Sequence, residues 1–535
     1  MKRQIISMGL MALMGLAGLS SCSEANDWEV DSSHNRLFRS LTFDVDKATA
    51  STVTITYSHV PQASQYIFEF SEGDETFSEI KKTVAILADT LTAYAESTDA
   101  VKITYRTVFD ELKGSTDYNV RMKAVSADGV ESGYLTDKFT TPDEQIFTDC
   151  EATVNSVVLQ WTPGAKVTHI VYNEIGAADS SIVTRTLTDD EKAAGSVFIE
   201  GLASGTQYSA VIYNDDAKRG TKKFKTLGMK DGKVYTVQPE DDVNNVLKQF
   251  VEEGTSALTL IFPSGTYEIG KLTIPTGISD LYIAAGTTDK DSLPELNIPQ
   301  FVLQSEVSSL TFQNIDLNAR KDGANYLFDI KGTNCFNSLE FDGCRIRNIN
   351  RCLVRFNTSN LEIEKIKINN CILDDIANNG YGVINTPKAD QKNIALFSIT
   401  NSTLINMGSD WIFQIKGGWQ SIVIDGCTFY TTCGGKGLFR FNANPASVSV
   451  TNTIFAGANK GKNFDCSEKS YDILDFNSCY MTNDMMTDSK KPYNNIEVVP
   501  LSSDDFFANP AEGDFHLKSG VSFGGMEKAG DPRWY

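Results

Sequence analysis

A chain of 535 residues is longer than one hydrophobic core usually serves, so several domains or one elongated repeat domain are expected. Its 41% hydrophobic and 10% aromatic content are those of a folded protein. A formal net charge of -21 excludes nucleic acid as a whole-molecule partner, and any anionic ligand would need a locally basic face.

Lys2 and Arg3 precede a charge-free run from Gln4 to Leu19, too short to span a bilayer and shaped like a signal peptide. The following "LSSC" resembles a bacterial lipobox. That resemblance implies cleavage before Cys22, diacylation of its thiol and a mature protein anchored to a membrane by lipid alone, with residues 1–22 as signal and 23–40 as a polar tether. An ordinary signal peptide with an incidental cysteine is the alternative. Nine further cysteines cannot all pair internally, and none forms a CxxC pair suited to zinc.

From residue 41 to 142, short alternating runs such as "STVTITYSHV", "SQYIFEFS" and "TDYNVRMKAVSADG" are separated by turn residues, which predicts an antiparallel sandwich. Residues 146–228 repeat the order with "NSVVLQWTPGAKVTHIVYNE" and "VFIEGLASGTQYSAVIYND". Both resemble fibronectin type III modules: Trp161 stands at the aromatic position of the second strand, and the pairs Leu112/Tyr118 and Leu202/Tyr208 match the Leu and Tyr before the sixth. Tyr57 replaces the tryptophan in the first module, which leaves that strand's register open. Such aromatics are core anchors, so the modules read as spacers.

Residues 233–535 have a different grammar. "DDVNNVLKQFVEEG" places Val243, Val246, Leu247, Phe250 and Val251 on one face of a helix that starts at Asp and stops at Gly254. The next stretch, "LTLIFPSGTYEIGKLTIP" with Pro263, Gly265 and Tyr267, resembles the first coil of a pectin-lyase-like right-handed parallel β-helix with an N-terminal capping helix. Seven segments then align without gaps: "LTFQNIDLN", "LEFDGCRIR", "IKINNCILD", "FSITNSTLI", "IVIDGCTFY", "VSVTNTIFA" and "LDFNSCYMT". Their fifth residues, Asn314, Gly343, Asn370, Asn401, Gly426, Asn452 and Ser478, recur at intervals of 29, 27, 31, 25, 26 and 26. A column rich in Gly and Asn is what one left-handed backbone turn per coil requires, and the period is that of a solenoid. The next residue in each, Ile315, Cys344, Cys371, Ser402, Cys427, Thr453 and Cys479, is small or apolar and should stack inside. The predicted class is therefore all-β, two sandwiches followed by the parallel β-helix.

A further strand precedes each turn motif: "YLFDIKG", "CLVRFNT", "YGVINTP", "WIFQIKG" and "LFRFNAN". With Phe328, Val354, Val383, Phe413 and Phe439 inward, alternation turns Asp329, Arg355, Gln414 and Arg440 outward, followed by Lys331, Asn357, Lys416 and Asn442. Gly382, Ile384 and Asn385 fit less cleanly, so that rung's register stays open. Tyr326, Tyr381 and Trp411 stand near the strand starts and Trp419 just beyond one. One face of an acidic chain thus collects cations, amides and aromatics.

Lysine and arginine suit carboxylates, and aromatic faces stack on sugar rings. The candidate glycan-binding residues are Lys331, Arg355, Lys416, Arg440, Tyr381 and Trp411. Resemblance adds that pectin-lyase-like folds bind substrate on this side, which makes polygalacturonate the natural candidate partner. Elimination from a uronate would need a base and a way to neutralise the carboxylate, commonly calcium; only Asp329 on this face is acidic, so no cofactor is called for and calcium enters only if the chain is a lyase. Hydrolysis needs paired carboxylates, and Asp374-Asp375 is placed in a solvated loop after a turn. The closing "DFFANPAEGDFHLKSG" and "GDPRWY" resemble the segment that packs over the last coils of lipoprotein β-helices. The whole resembles surface glycan-binding lipoproteins that work beside an outer-membrane importer, lipid-anchored and facing the cell exterior. A pectate-lyase-type enzyme and an adhesin without glycan specificity are the alternatives.

Overall fold

The structure, a computed structural model, describes residues 36–95, 103–178, 181–320, 325–358, 361–377, 379–386, 392–408, 411–415, 418–432, 437–441, 445–457, 474–485 and 495–535. Cys22, His34, Lys416, Cys433, Asn442 and Cys466 lie outside the described residues. The chain divides into two compact units, residues 1–144 with 217–219, and 145–216 with 220–535.

The first unit holds one sandwich. Phe43–Ala48, Val53–Ser58, Thr104–Phe109 and Ala93–Ala95 form one antiparallel sheet, and Lys82–Leu87, Ala63–Glu72, Asp117–Ser126 and Leu135–Thr140 the other. Between them Tyr57, Tyr66, Phe68 and Phe70 are fully buried. The second unit begins with the same arrangement, strands Phe147–Ala152, Ser156–Trp161 and Ser196–Glu200 facing a second four-stranded sheet. Register settles the aromatic position: Phe43 pairs with Tyr57 in one sandwich, and Phe147 with Trp161 in the other. Tyr57 is therefore the counterpart of Trp161. Both modules also close the same corner, the Tyr118 hydroxyl accepting from the Lys113 N–H at 2.9 Å and that of Tyr208 from the Ala203 N–H at 3.0 Å. These are fibronectin type III-like sandwiches.

The remainder is a parallel β-solenoid. Its opening helix, Val243–Glu252, is capped by the Asp242 carboxylate, which accepts from the N–H groups of Asn244 and Asn245. Val243 and Leu247 are buried beneath it, while Val246, Phe250 and Val251 pack partly buried against the same core. Gly254 ends it with φ 78°. Behind this cap, among the described residues, two parallel sheets of ten strands and a third of seven run side by side. The first contains the strands that precede each turn, the second those that follow it, and the third those that return to the first. The second sandwich meets the first sheet through Val154, which packs with Ile261 and Ala284 and is flanked by Leu227 and Tyr282. Burial there pushes the Tyr282 hydroxyl well above its ordinary pKa.

Asn314, Gly343, Asn370, Asn401, Gly426, Asn452 and Ser478 all adopt φ between 48° and 64°. Each coil turns on this one residue, and Asn, Gly or Ser enters that region at lower cost than a branched side chain would. The residues that follow them in sequence are no more than 2% exposed, and the described cysteines among them are free thiols. The column is more than inert filler: the Ser402 hydroxyl accepts from the Cys371 N–H at 3.0 Å and donates to the Thr400 carbonyl at 2.6 Å.

Two placements differ from the sequence expectation. Trp419 does not flank the outward face; it is 1% exposed, pairs with Ile394, and meets Phe397 edge-on at 5.9 Å. It continues a buried corner column with Ile363 and Ile394, where the chain bends and strict alternation lapses. Asp374 and Asp375 are not in a loop but within the strand Ile372–Ile376 of the second sheet, where Asp374 lies 3.8 Å from Arg345. Beside them Arg347 bridges Asp316 and Glu295, each at 2.9 Å, so Asp374, Asp316 and Glu295 all serve as ion-pair partners.

The C-terminal segment folds back over the later coils of the second sheet. Asp531, 1% exposed, accepts from the Thr403 hydroxyl at 2.7 Å and from its own neighbour Arg533 at 2.7 Å, while Trp534 Nε1 donates to Thr403 at 2.8 Å. Phe506, Phe507 and Phe515 bury with Ile405, Ile454 and Tyr480 in a second hydrophobic cluster outside the solenoid core.

Candidate binding site on the third sheet

The third sheet comprises Leu272–Ile274, Phe301–Leu303, Tyr326–Ile330, Cys352–Phe356, Ile384–Asn385, Trp411–Ile415 and Gly437–Phe441. Its inward column is Leu272, Phe301, Phe328, Val354, Ile384, Phe413 and Phe439. Ile384, not Val383, occupies the fifth rung. The preceding Tyr381 and Gly382 both have positive φ, 82° and 71°, and this double left-handed step shifts the frame by one residue.

With that rung placed, the next residue of each strand forms one outward column from the third rung on, Asp329, Arg355, Asn385, Gln414 and Arg440. Asn385 is 2% exposed and Gln414 7%. Four atoms of the column, Asp329 Oδ1, Arg355 Nε, Asn385 Oδ1 and Gln414 Nε2, are buried and have no hydrogen-bond partner. A buried polar atom left unpaired costs about 1–3 kcal/mol, and native folds pair nearly all of theirs. Two of the four, Asp329 Oδ1 and Arg355 Nε, face each other as an ion pair, so the column is polar and charged beneath its solvent-facing edge.

Around Arg355 the column becomes a cage. Its Cζ stands 4.6 Å from the Tyr326 ring centre and 5.8 Å from that of Tyr381, and the two rings meet edge-on at 6.0 Å. Arg351 adds a second cation, 5.4 Å from the Tyr381 ring, with Nη1 3.3 Å from the Tyr326 hydroxyl. That hydrogen bond raises the Arg351 pKa further above its ordinary value, so its charge is permanent. The rings hold both guanidinium groups in place while each keeps its charge. Asp329 is gripped on one oxygen by Lys331 at 2.9 Å, and its other oxygen lies 3.9 Å from Arg355 Nε.

Of the six residues expected from sequence, the structure brings Arg355 and Tyr381 into direct contact and sets Arg440 on the same column. Lys331 is largely exposed and joins through Asp329. Trp411 is half-buried and pairs with Gly437 on the same sheet. Lys416 lies outside the described residues. Sequence reading missed Arg351, whose only signal was its place four residues before Arg355, and it left Asn385 unassigned. Next to the early rungs a groove of about 480 Å³ is lined by Phe301, Val302, Leu303, Asp329 and Lys331.

Comparison with known proteins adds two family matches. Residues 265–407 match the family described as domain of unknown function DUF4957, and residues 422–534 match domain of unknown function DUF5123. The second match takes in the last coils together with the folded-back C-terminal segment. No curated protein matches the chain. Among solved structures, the two-domain fibronectin type III segment of chicken tenascin is similar at 16% identity and TM-score 0.21, covering 35% of this chain and 99% of its own. The FN1-FN3 domains of chicken CNTN1 are similar at 18% identity and TM-score 0.15, covering 36% of this chain and 68% of theirs. The strand orders of the two sandwiches themselves carry the fibronectin type III-like assignment.

Proposed function

We propose that this chain is a glycan-binding lipoprotein that holds an acidic polysaccharide along the third solenoid sheet. The observation that carries the reading is the cluster on the outward column, two guanidinium groups set against the rings of Tyr326 and Tyr381 with Arg440 on the same column. A strand ladder repeats about every 4.8 Å, so a linear polymer lying along the solenoid axis meets one rung after another. The cations answer its carboxylates and the rings its apolar sugar faces. In this reading Cys22 carries the lipid anchor on the outer membrane, the two sandwiches act as spacers, and the bound glycan passes to an outer-membrane importer. Affinity electrophoresis of the full chain against polygalacturonate, esterified pectin and a neutral glucan tests it. Preferential retention by acidic polymers is expected; equal retention by all three removes the electrostatic basis.

One observation favours a second reading, a polysaccharide lyase. Arg351 donates to the Tyr326 hydroxyl at 3.3 Å, so a fixed cation suited to a uronate carboxylate stands beside a phenol that could donate a proton to the leaving oxygen. Sustained release of unsaturated uronate products from polygalacturonate, lost in Tyr326→Phe, would replace binding with elimination.

A further inference from the structure

The segment that leads into the first sandwich carries a surface that the glycan site does not use. Every third residue of it, Leu37, Ser40 and Phe43, is buried. The Leu37 N–H donates to the Glu131 carbonyl at 3.2 Å, and the Ser40 hydroxyl accepts from the Ser58 N–H at 2.8 Å. The segment is thereby pinned, and the residues between the pins face out. Phe38 is 85% exposed and Leu41 70%, the two most exposed large apolar side chains among the described residues. Arg36 and Arg39 are exposed beside them. Glu131, which accepts the Leu37 N–H, has its carboxylate paired with Lys123 at 2.7 Å and not with either arginine.

A single exposed apolar side chain is ordinary, but two on one pinned stretch interleaved with two guanidinium groups have the make-up of an interfacial contact, in which rings and aliphatic chains enter the headgroup layer and cations meet phosphates. Resting on the lipid anchor read at Cys22, we propose that Arg36, Phe38, Arg39 and Leu41 form a second membrane contact, docking the first sandwich on the phosphate-bearing surface of the bilayer that holds the anchor.

The occupant follows from charge and from chain length. Thirteen residues separate Cys22 from Arg36, four of them acidic and none a lysine or arginine, so Arg36 and Arg39 are the first cations past the anchor. Even fully extended, those thirteen residues reach at most about 45 Å. An anchored molecule therefore always has a lipid surface within reach of this patch, at an effective concentration no free partner matches, and a weak contact suffices to populate the docked state.

The test holds the chain from Ser23 onward on vesicles of phosphatidylethanolamine and phosphatidylglycerol through an N-terminal hexahistidine tag and a nickel-chelating lipid, so it reports on the contact whatever the natural N-terminus carries. Phe38→Trp supplies the signal, read against the unmodified chain to subtract its five tryptophans. The added tryptophan is expected to emit further to the blue on the vesicles and to be quenched by lipids brominated close to the headgroup, and to lose both effects when imidazole releases the chain. Added to Phe38→Trp, Leu41→Ser should lower the docked fraction, and Arg36→Gln/Arg39→Gln should lower it about fivefold or more, a loss that shrinks as salt rises. These positions lie outside the sandwich core, and an unchanged melting curve verifies that each variant is folded. An added tryptophan that behaves alike on and off the vesicles overturns the contact. A blue shift that follows protein density at fixed lipid, without quenching by brominated lipid, reports a second copy of this chain and overturns it too. An unlipidated native N-terminus overturns the anchor reading, and with it the place of this contact in the cell, even where the tagged chain docks, so the two failures are told apart.

Discussion

Replacing Gly382 with alanine should damage the third sheet more than any comparable glycine change. A Cβ at Gly382 would stand 2.2 Å from the carbonyl oxygens of both Trp411 and Ile412, which are backbone atoms of the next coil, and φ is 71°. The left-handed backbone alone costs an ordinary residue about 1–2 kcal/mol. Relieving the contact means pushing the coils apart at the point where the Val383 N–H donates to the Ile412 carbonyl at 2.8 Å, a bond with a net contribution of about 1 kcal/mol. The expected loss is therefore about 2–3 kcal/mol, concentrated at the Ile384–Asn385 rung. Gly332→Ala is the control, since a Cβ there meets nothing within 4 Å. Urea denaturation followed by far-ultraviolet circular dichroism, with hydrogen exchange to localise the change, gives the measurement. Because several domains unfold, the solenoid transition must be followed separately from those of the sandwiches. Glycan binding should weaken with it, because Tyr381 is the adjoining residue and its ring lines the Arg355 cage. A Gly382→Ala protein as stable as Gly332→Ala, with undiminished binding, would refute this account of the rung.

Further outcomes follow from the core and the termini. Cys344, Cys371, Cys427 and Cys479 should react with a thiol reagent only after denaturation, since all four are buried and burial pushes the Cys479 thiol up to about 11 and raises those of Cys371 and Cys427 as well; rapid labelling of the native chain contradicts the stacked column. Cys427→Ser should cost no more than about 1 kcal/mol, because the same column already accommodates Ser402 and Thr453 by donation to a carbonyl two residues back. Cys427→Arg, which buries an unpaired charge, should fail to fold, and thermal melting separates the two cases. Tyr57 and Tyr66 are each pushed up to about 12 by burial, so their folded forms hold protons that the unfolded chain releases near pH 10. The first sandwich should therefore keep this stability below pH 10 and lose it between about pH 10 and 12, and Tyr57→Phe should flatten that loss in pH-dependent melting. Mass spectrometry of the native N-terminus should find lipidated Cys22; an unmodified start elsewhere contradicts the anchor.

Much of this architecture was legible because it repeats. One Asn, Gly or Ser per coil announced the turn, and seven of them in register announced the solenoid, since no other backbone conformation makes that column necessary. The capping helix and the sandwich corners were readable for the same reason, each being a local device with a fixed spacing. The candidate site was less legible where local geometry broke the period. Alternation could not place Asn385 because Tyr381 and Gly382 are both left-handed, and it misplaced Trp419 because corner residues bury regardless of phase. Asp374 misled because its partner, Arg345, comes from the neighbouring coil, a distance in sequence that no local pattern encodes. Arg351 was invisible for a related reason: its role depends on two tyrosines from adjacent coils.

The most direct test is the mobility of the full chain and of its Arg355→Ala/Lys416→Ala/Arg440→Ala variant in native gels containing an acidic polysaccharide, against the same gels with a neutral glucan. Exposed ion pairs contribute only about 0.2–1 kcal/mol each, so single changes should weaken retardation without abolishing it, whereas the triple variant should run as it does in the neutral gel. A triple variant that folds normally and is still retarded like the unmodified chain would contradict the third sheet as the place where this protein holds its ligand.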